Sequence, residues 1–131
     1  MTAEKRDPFD LPEEYTRAAT ILLRGYLRLY VMEKLQERPQ AGSEIADDLM
    51  RSCSWRPSPG TVYPLLQRLE KEGLTESHWE TANGRPRRVY ALTEEGSRER
   101  VRLRQKLEPE LRRTLRILQL HIDYLFGRES R

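Results

Sequence analysis

The dipeptide Asn83-Gly84 stands between two short runs, LTESHWET (Leu74–Thr81) and VYALT (Val89–Thr93), that alternate well enough for strands. Asn-Gly is the strongest short hairpin signal, because both central residues of a type I′ turn need a positive φ. ANGRPRR is read as the turn, with Asn83-Gly84 at its tip. On both sides of this hairpin the chain has helical rhythm, so the expected order is helix, helix, helix, hairpin, long helix. The expected fold class is mainly α with a small β-hairpin.

The first helical pattern runs from about Glu13 to Glu37, with Ile21, Leu22, Leu29 and Met32 among its apolar positions. Tyr26 and Tyr30 lie four apart and share a face. These apolar positions wrap more than one face, which suits a helix touching its own core and a partner chain. RPQAGSEIADDLMRSC then holds a turn and a short helix. Ser43 is read as its N-cap, with Glu44 just after it and Ile45, Leu49 and Met50 as its apolar stripe. SWRPSP is a loop.

In the next helix, SPGTVYPLLQRLEKEG, Ser58 caps and Pro59 takes the first helical position, where its missing N–H costs nothing. Val62, Leu65, Leu66 and Leu69 follow the i, i+3, i+4, i+7 rhythm of a core face, and Gly73 suits the helix end. Pro64 costs roughly 3 kcal/mol in a helix interior, partly through a clash with the carbonyl four residues back. That residue is Gly60, whose bare backbone can shift, so a loosened first turn is expected. Thr93 caps the last helix, with Glu94 and Glu95 in its first turn. Leu103, Leu107, Leu111, Leu115, Leu118, Ile122 and Leu125 make a one-sided stripe, and Pro109 predicts a kink or break within it.

A chain of 131 residues supports one domain with a modest core, which a second copy commonly reinforces. The net charge of +3 does not by itself prove a nucleic-acid partner. Its distribution says more, with ten basic and five acidic residues from Arg98 to Arg131 against two and four from Ser58 to Thr81. The single cysteine, Cys53, excludes an internal disulfide and a Cys-rich zinc site, and fits a reducing compartment. MTAEKRDPFD has no signal-like apolar run and no segment suits a membrane span, so a cytoplasmic protein without a membrane partner is expected.

Three helices and a two-stranded hairpin form the winged version of helix-turn-helix, whose second motif helix enters the major groove of DNA. Here that helix starts at Pro59. Gly60, Thr61, Tyr63, Pro64, Gln67 and Lys71 lie off its core face, and the hydroxyls of Thr61 and Tyr63 suit phosphates or bases. Arg85, Arg87 and Arg88 crowd the wing, as a phosphate rail or a minor-groove element would. Plainer readings stand beside these: a solvated turn for the arginines, ring packing on the hairpin for Tyr63, and core or rim packing for Trp55 and Trp79. Cys53 reads as a small packed residue, and Arg98 to Lys106 as a solvated helix face. His78 and His121 are far apart with no evident partner, and there is no Walker loop, nucleophile elbow or clustered ligand set. Neither cofactor, metal nor catalysis is therefore expected.

SPGTVYPLLQRLEKEGLTESHWETANGRPRRVYALTEEG resembles the signature of the PadR family of bacterial winged-helix transcriptional regulators. The matching positions are Gly60, Thr61, Tyr63, Pro64, Leu66, Leu69, Gly73, Leu74, Gly84, Arg85, Pro86, Tyr90, Leu92, Thr93 and Gly96. The resemblance implies a homodimer on double-stranded DNA, at a palindromic operator and usually as a repressor. For some members it also implies a hydrophobic or aromatic small-molecule effector at the dimer interface. The DNA-contact set is then Ser43, Ser58, Gly60, Thr61, Tyr63, Pro64, Gln67, Lys71, Gly84, Arg85, Arg87 and Arg88. The dimer set is Tyr26, Tyr30, Leu107, Leu111, Leu115, Leu118, Ile122 and Leu125. Residues 1–12 form an arm, 13–93 the DNA-binding domain and 94–131 the dimerisation helix, as in the shorter branch of the family. Two alternatives remain, a winged helix used for protein contact and a hydrophobic-ligand sensor without a primary DNA role.

Overall fold

The structure, a computed structural model, describes residues 13–53 and 59–128, with side chains described over 24–52 and 61–128. The elements are α1 (Glu13–Glu37), α2 (Gly42–Cys53), α3 (Pro59–Lys71), β1 (Thr75–Ala82), β2 (Arg85–Leu92) and α4 (Glu94–Phe126). This is the expected order. The arm at 1–12, the Ser58 cap and Trp55 lie outside the described residues, as do the side chains of Ile21, Leu22 and Cys53 and the surroundings of Gly60.

One core joins the elements. Leu27, Val31, Met32 and Leu35 from α1 meet Ile45 and Leu49 from α2, Val62, Leu66 and Leu69 from α3, and Leu74 and Tyr90 from the hairpin. On α2 the buried stripe is Ile45, Ala46 and Leu49, while Met50, expected to share it, is exposed. At 100° per residue Met50 lies about 140° round the helix from Ile45, off the packed face.

Pro39 ends the run that α1 began, and Gln40 ties the join. Its backbone exchanges two hydrogen bonds with Tyr90, N–H to O in each direction at 3.0 Å, which adds one rung to the outer edge of β2. Its fully buried side-chain amide donates to the carbonyl of Lys34 in α1 at 2.7 Å and to that of Arg38, just beyond the helix, at 3.2 Å. Replacing Gln40 with Ala is expected to cost about 2–3 kcal/mol, since it opens a void and strips two carbonyls of their donor. Urea unfolding checks this.

The same rung moves the start of α2. Ser43 does not cap it. Glu44 N–H donates to Ala41 O at 3.1 Å, so the helix begins two residues early, at Gly42. Gly42 is packed so closely that a Cβ there would stand 3.0 Å from both the Tyr63 ring and the Leu66 side chain. Tertiary contact decides this terminus, and Ser43 is left exposed in the first turn.

α3 ends as its glycine predicts. Gly73 has φ 77°, Leu74 N–H reaches Leu69 O at 2.9 Å and Gly73 N–H reaches Glu70 O at 3.0 Å, the paired bonds of a Schellman motif. The hairpin turn is shorter than expected. Asn83 (φ 55°) and Gly84 (φ 75°) alone form it, and the ladder closes at Ala82↔Arg85. β2 therefore begins at Arg85 rather than at Val89. Pro86 fits inside it because its nitrogen has the parity of Tyr90, whose N–H points away from β1 to Gln40. No ladder bond is lost.

Thr93 caps α4 as expected, its hydroxyl accepting from Gly96 N–H at 3.0 Å and donating to Gly73 O at 2.8 Å. α4 then runs 33 residues, roughly 50 Å, uninterrupted at Pro109. The predicted break is absent. Pro109 and Gln105 both stand in solvent, so the carbonyl that loses its donor is free to take water. The first half of α4 is bolted to α1: Arg100 and Arg104 each reach Glu33 at 2.9 Å, and Ser97 donates to Gln36 at 2.7 Å. No helix among the described residues is long and apolar enough to cross a membrane.

Candidate nucleic-acid interface

The apolar rhythm of α3 sorts its side chains. Val62, Leu66 and Leu69 are buried, so Thr61, Tyr63, Pro64, Gln67 and Lys71 are turned outward and exposed. No acidic residue occupies the first turn. The helical N–H groups at that end meet no carboxylate from their own turn, where the positive end of the dipole favours an anion. The Tyr63 ring lies on Gly42 of α2, and the residue remains about half exposed, at 45%.

The wing stands beside this face. Gly84 has no atom within 4 Å of where a Cβ would be, so the tip is open on all sides. Arg85, first on β2, is exposed and makes no ion pair among the described residues. The other two arginines are held. Arg87 donates through Nη1 to Glu44 of α2, with Glu80 3.7 Å from its Nη2. Arg88 donates to Glu70 of α3 at 2.8 Å and to Ser77 at 2.9 Å, with the rings of Tyr90 and Trp79 at 5.4 and 6.0 Å. Glu44 also accepts from Arg38 at 3.0 Å. Burial pushes the Glu44 carboxyl upward, but the hydrogen bonds and charges of Arg87 and Arg38 outweigh it and hold the group below its ordinary value. Glu44 is thus charged at neutral pH and both ties are made.

Neither the solvated-turn reading nor the free-rail reading of the three arginines covers this arrangement. Sequence reasoning missed Glu44 and Glu70. They stand 43 and 18 residues from the arginines they hold, and no local pattern announces a contact over that range. Trp79, expected in core or rim packing, is 68% exposed on β1. The run from Arg98 to Lys106 is not simply a solvated face, since Arg100 and Arg104 clamp Glu33 while Arg98 and Arg102 pair with Glu94 and Glu99. His78 meets only Glu80 at 3.0 Å, and no cluster of three or more potential metal ligands exists among the described residues.

At the other end of the molecule, Tyr26 and Tyr30 stack at 6.1 Å and pack against the core. Leu107 lies over Gly25 of α1 and Leu111 is half-buried, but from Leu115 (67% exposed) the stripe leaves the body of the chain. Leu118, Ile122 and Leu125 are exposed with it. So are Ile117, Leu120 and Tyr124, a second apolar set at i, i+3, i+7 that the one-sided reading of this helix overlooked. Among the described residues this half of α4 leaves its apolar side chains exposed.

Three comparisons bear on this arrangement. A profile of the transcriptional regulator PadR-like family matches residues 31–102, from the last third of α1 to the third turn of α4. The transcriptional regulator Rv3488 of Mycobacterium tuberculosis is 36% identical over 92 residues, which cover 70% of this chain and 85% of the relative. A PadR family transcriptional regulator of Eggerthella lenta superposes with TM-score 0.65 at 27% identity, covering 81% of this chain and 94% of that one. A PadR-like transcriptional regulator of Bacillus cereus does so with TM-score 0.63 at 25% identity, covering 75% and 96%.

Proposed function

The chain belongs to the PadR-like family of transcriptional regulators, and on that premise we propose that it is a homodimeric, sequence-specific DNA-binding repressor acting in the cytoplasm. Residues 13–93 carry the DNA-binding unit and residues 94–131 the dimerisation helix. α3 enters the major groove of a palindromic operator, with Thr61, Tyr63 and Gln67 toward the bases and Lys71 toward the backbone. Arg85 holds a phosphate beside it. A hydrophobic or aromatic small molecule bound between protomers near Tyr26 and Tyr30 relieves repression.

The observation that carries this reading is the pairing of an outward, carboxylate-free N-terminal turn on α3 with an unpaired arginine at an open wing tip. One supplies base contact and the other a sequence-independent hold, the two parts of protein–DNA recognition. The test is a gel shift on the promoter upstream of the chain's own gene. Binding that survives excess nonspecific DNA supports the proposal. Clean failure by folded protein, with and without aromatic effectors, refutes it.

Within that reading Arg85→Ala removes one phosphate contact. Affinity is expected to fall on every duplex, and the slope of log K against log salt to flatten by about 1.8, about 0.9 for each protomer of the dimer. Anisotropy titrations at several salt concentrations measure both, and an unchanged slope rejects the role given to Arg85.

A further inference from the structure

Both arginines that the fold holds back are held by the motif itself. Arg87 is tied to Glu44 in the first turn of α2, and Arg88 to Glu70 near the end of α3. Glu44 holds Arg38 as well, and Glu80 adds a second carboxylate near Arg87. These acids lie between the hairpin and the two helices, on the ground where a duplex backbone would come. Half-exposed ion pairs contribute little to stability, so folding alone accounts poorly for carboxylates placed against a polyanion. The fit is also incomplete, since Arg87 Nε is buried without an acceptor.

We propose that Glu44 and Glu70 restrain Arg87 and Arg88, keeping these two cations off the phosphates and so setting a low affinity for duplex of arbitrary sequence. The inference rests on the DNA-binding reading above. An arginine that leaves its carboxylate for a phosphate releases one condensed counterion from the DNA, but the vacated carboxylate takes a cation back. The net release is near zero and the exchange adds little to binding. Arg85, with no carboxylate to abandon, is the wing residue that contributes in full. The chain then depends on base contacts from α3 rather than on a general attraction to nucleic acid.

The test compares Glu44→Gln and Glu70→Gln with the wild-type chain on a labelled duplex of arbitrary sequence, across roughly 50 to 200 mM salt. Each amide keeps the shape of its carboxylate and removes the charge that holds its arginine. Each variant is expected to bind about threefold to tenfold tighter at the low-salt end, with a slope steeper by about 0.9 for each protomer that engages the duplex. Glu108→Gln removes an equal charge from the Arg112 pair on α4, and is expected to stay close to wild type. Wild-type slopes in both restraint variants overturn the proposal. So does equal tightening by Glu108→Gln, which would make net charge the cause. A wild-type chain without salt-dependent duplex binding overturns the DNA-binding reading itself, and the restraint with it. Circular dichroism confirms that each variant is folded, and either one suffices if the other is not.

Discussion

Gly96→Ala is expected to destabilise the chain by roughly 3 kcal/mol and to lower Tm by about 10 °C. A Cβ at this position would lie 2.0 Å from the Leu74 carbonyl oxygen, 2.7 Å from Leu92 Cδ1 and 3.0 Å from the Leu74 carbonyl carbon. Two of those three atoms are backbone, and neither can turn aside as the end of a side chain can. The start of β1 and the start of α4 are moreover joined there by Thr93 N–H to Leu74 O at 3.1 Å and by Thr93 Oγ1 to Gly73 O at 2.8 Å. Relieving the clash means parting elements that these bonds hold together. Gly25→Ala is the contrast. Its Cβ would meet only Leu107, at an ordinary 3.5 Å, in the interior of α1. There the gain in helix propensity, up to about 1 kcal/mol, is unopposed within the chain. Thermal melts of the two variants should move in opposite directions, and a Gly96→Ala protein as stable as wild type would show that α4 does not start against β1 as described.

Gly96 also shows where sequence reading succeeds and where it stops. It falls within the stretch that resembles the PadR signature, but its need for glycine arises from a carbonyl 22 residues earlier, visible only in three dimensions. The features read correctly were local. Thr93 caps the helix that follows it, Gly73 takes the left-handed conformation that ends α3, and Asn83-Gly84 turns the hairpin. In each case the chemistry acts within a few residues. The misreadings arose where distant contacts prevailed. Ser43 lost its expected cap because the Gln40–Tyr90 rung and the packing at Gly42 set the start of α2. Pro109 did not break α4, because both the proline and the carbonyl it leaves unpaired face solvent. The wing arginines were legible as residues, but their separation into one free and two held was not. In the candidate site, then, the outward face of α3 could be read from periodicity alone, while the electrostatics around it required the fold.

Leu118→Asp is expected to weaken self-association by at least about 1,000-fold and to abolish operator binding at concentrations where wild type saturates. Leu118 lies in the stripe that continues past Leu111 into the half of α4 whose apolar side chains are exposed among the described residues. Burying a leucine against a partner contributes about 1.5–3 kcal/mol, and a carboxylate forced into that place costs more than the leucine contributed. A two-fold interface repeats the loss on the second protomer, which takes the total past the roughly 4 kcal/mol that corresponds to a thousandfold. Arg116→Asp is the control, because Arg116 lies about 160° round the helix from Leu118 and introduces the same carboxylate on the polar side. Sedimentation equilibrium should find wild type and Arg116→Asp dimeric and Leu118→Asp monomeric. The loss on DNA follows from geometry. α3 of one chain reads one half-site, and without a partner the second half-site adds nothing to the first. Binding to random duplex at low salt should fall far less, since each protomer keeps its own Arg85. A Leu118→Asp protein that remains a dimer would place the interface elsewhere, and the second apolar set, Ile117, Leu120 and Tyr124, would be the next face to charge.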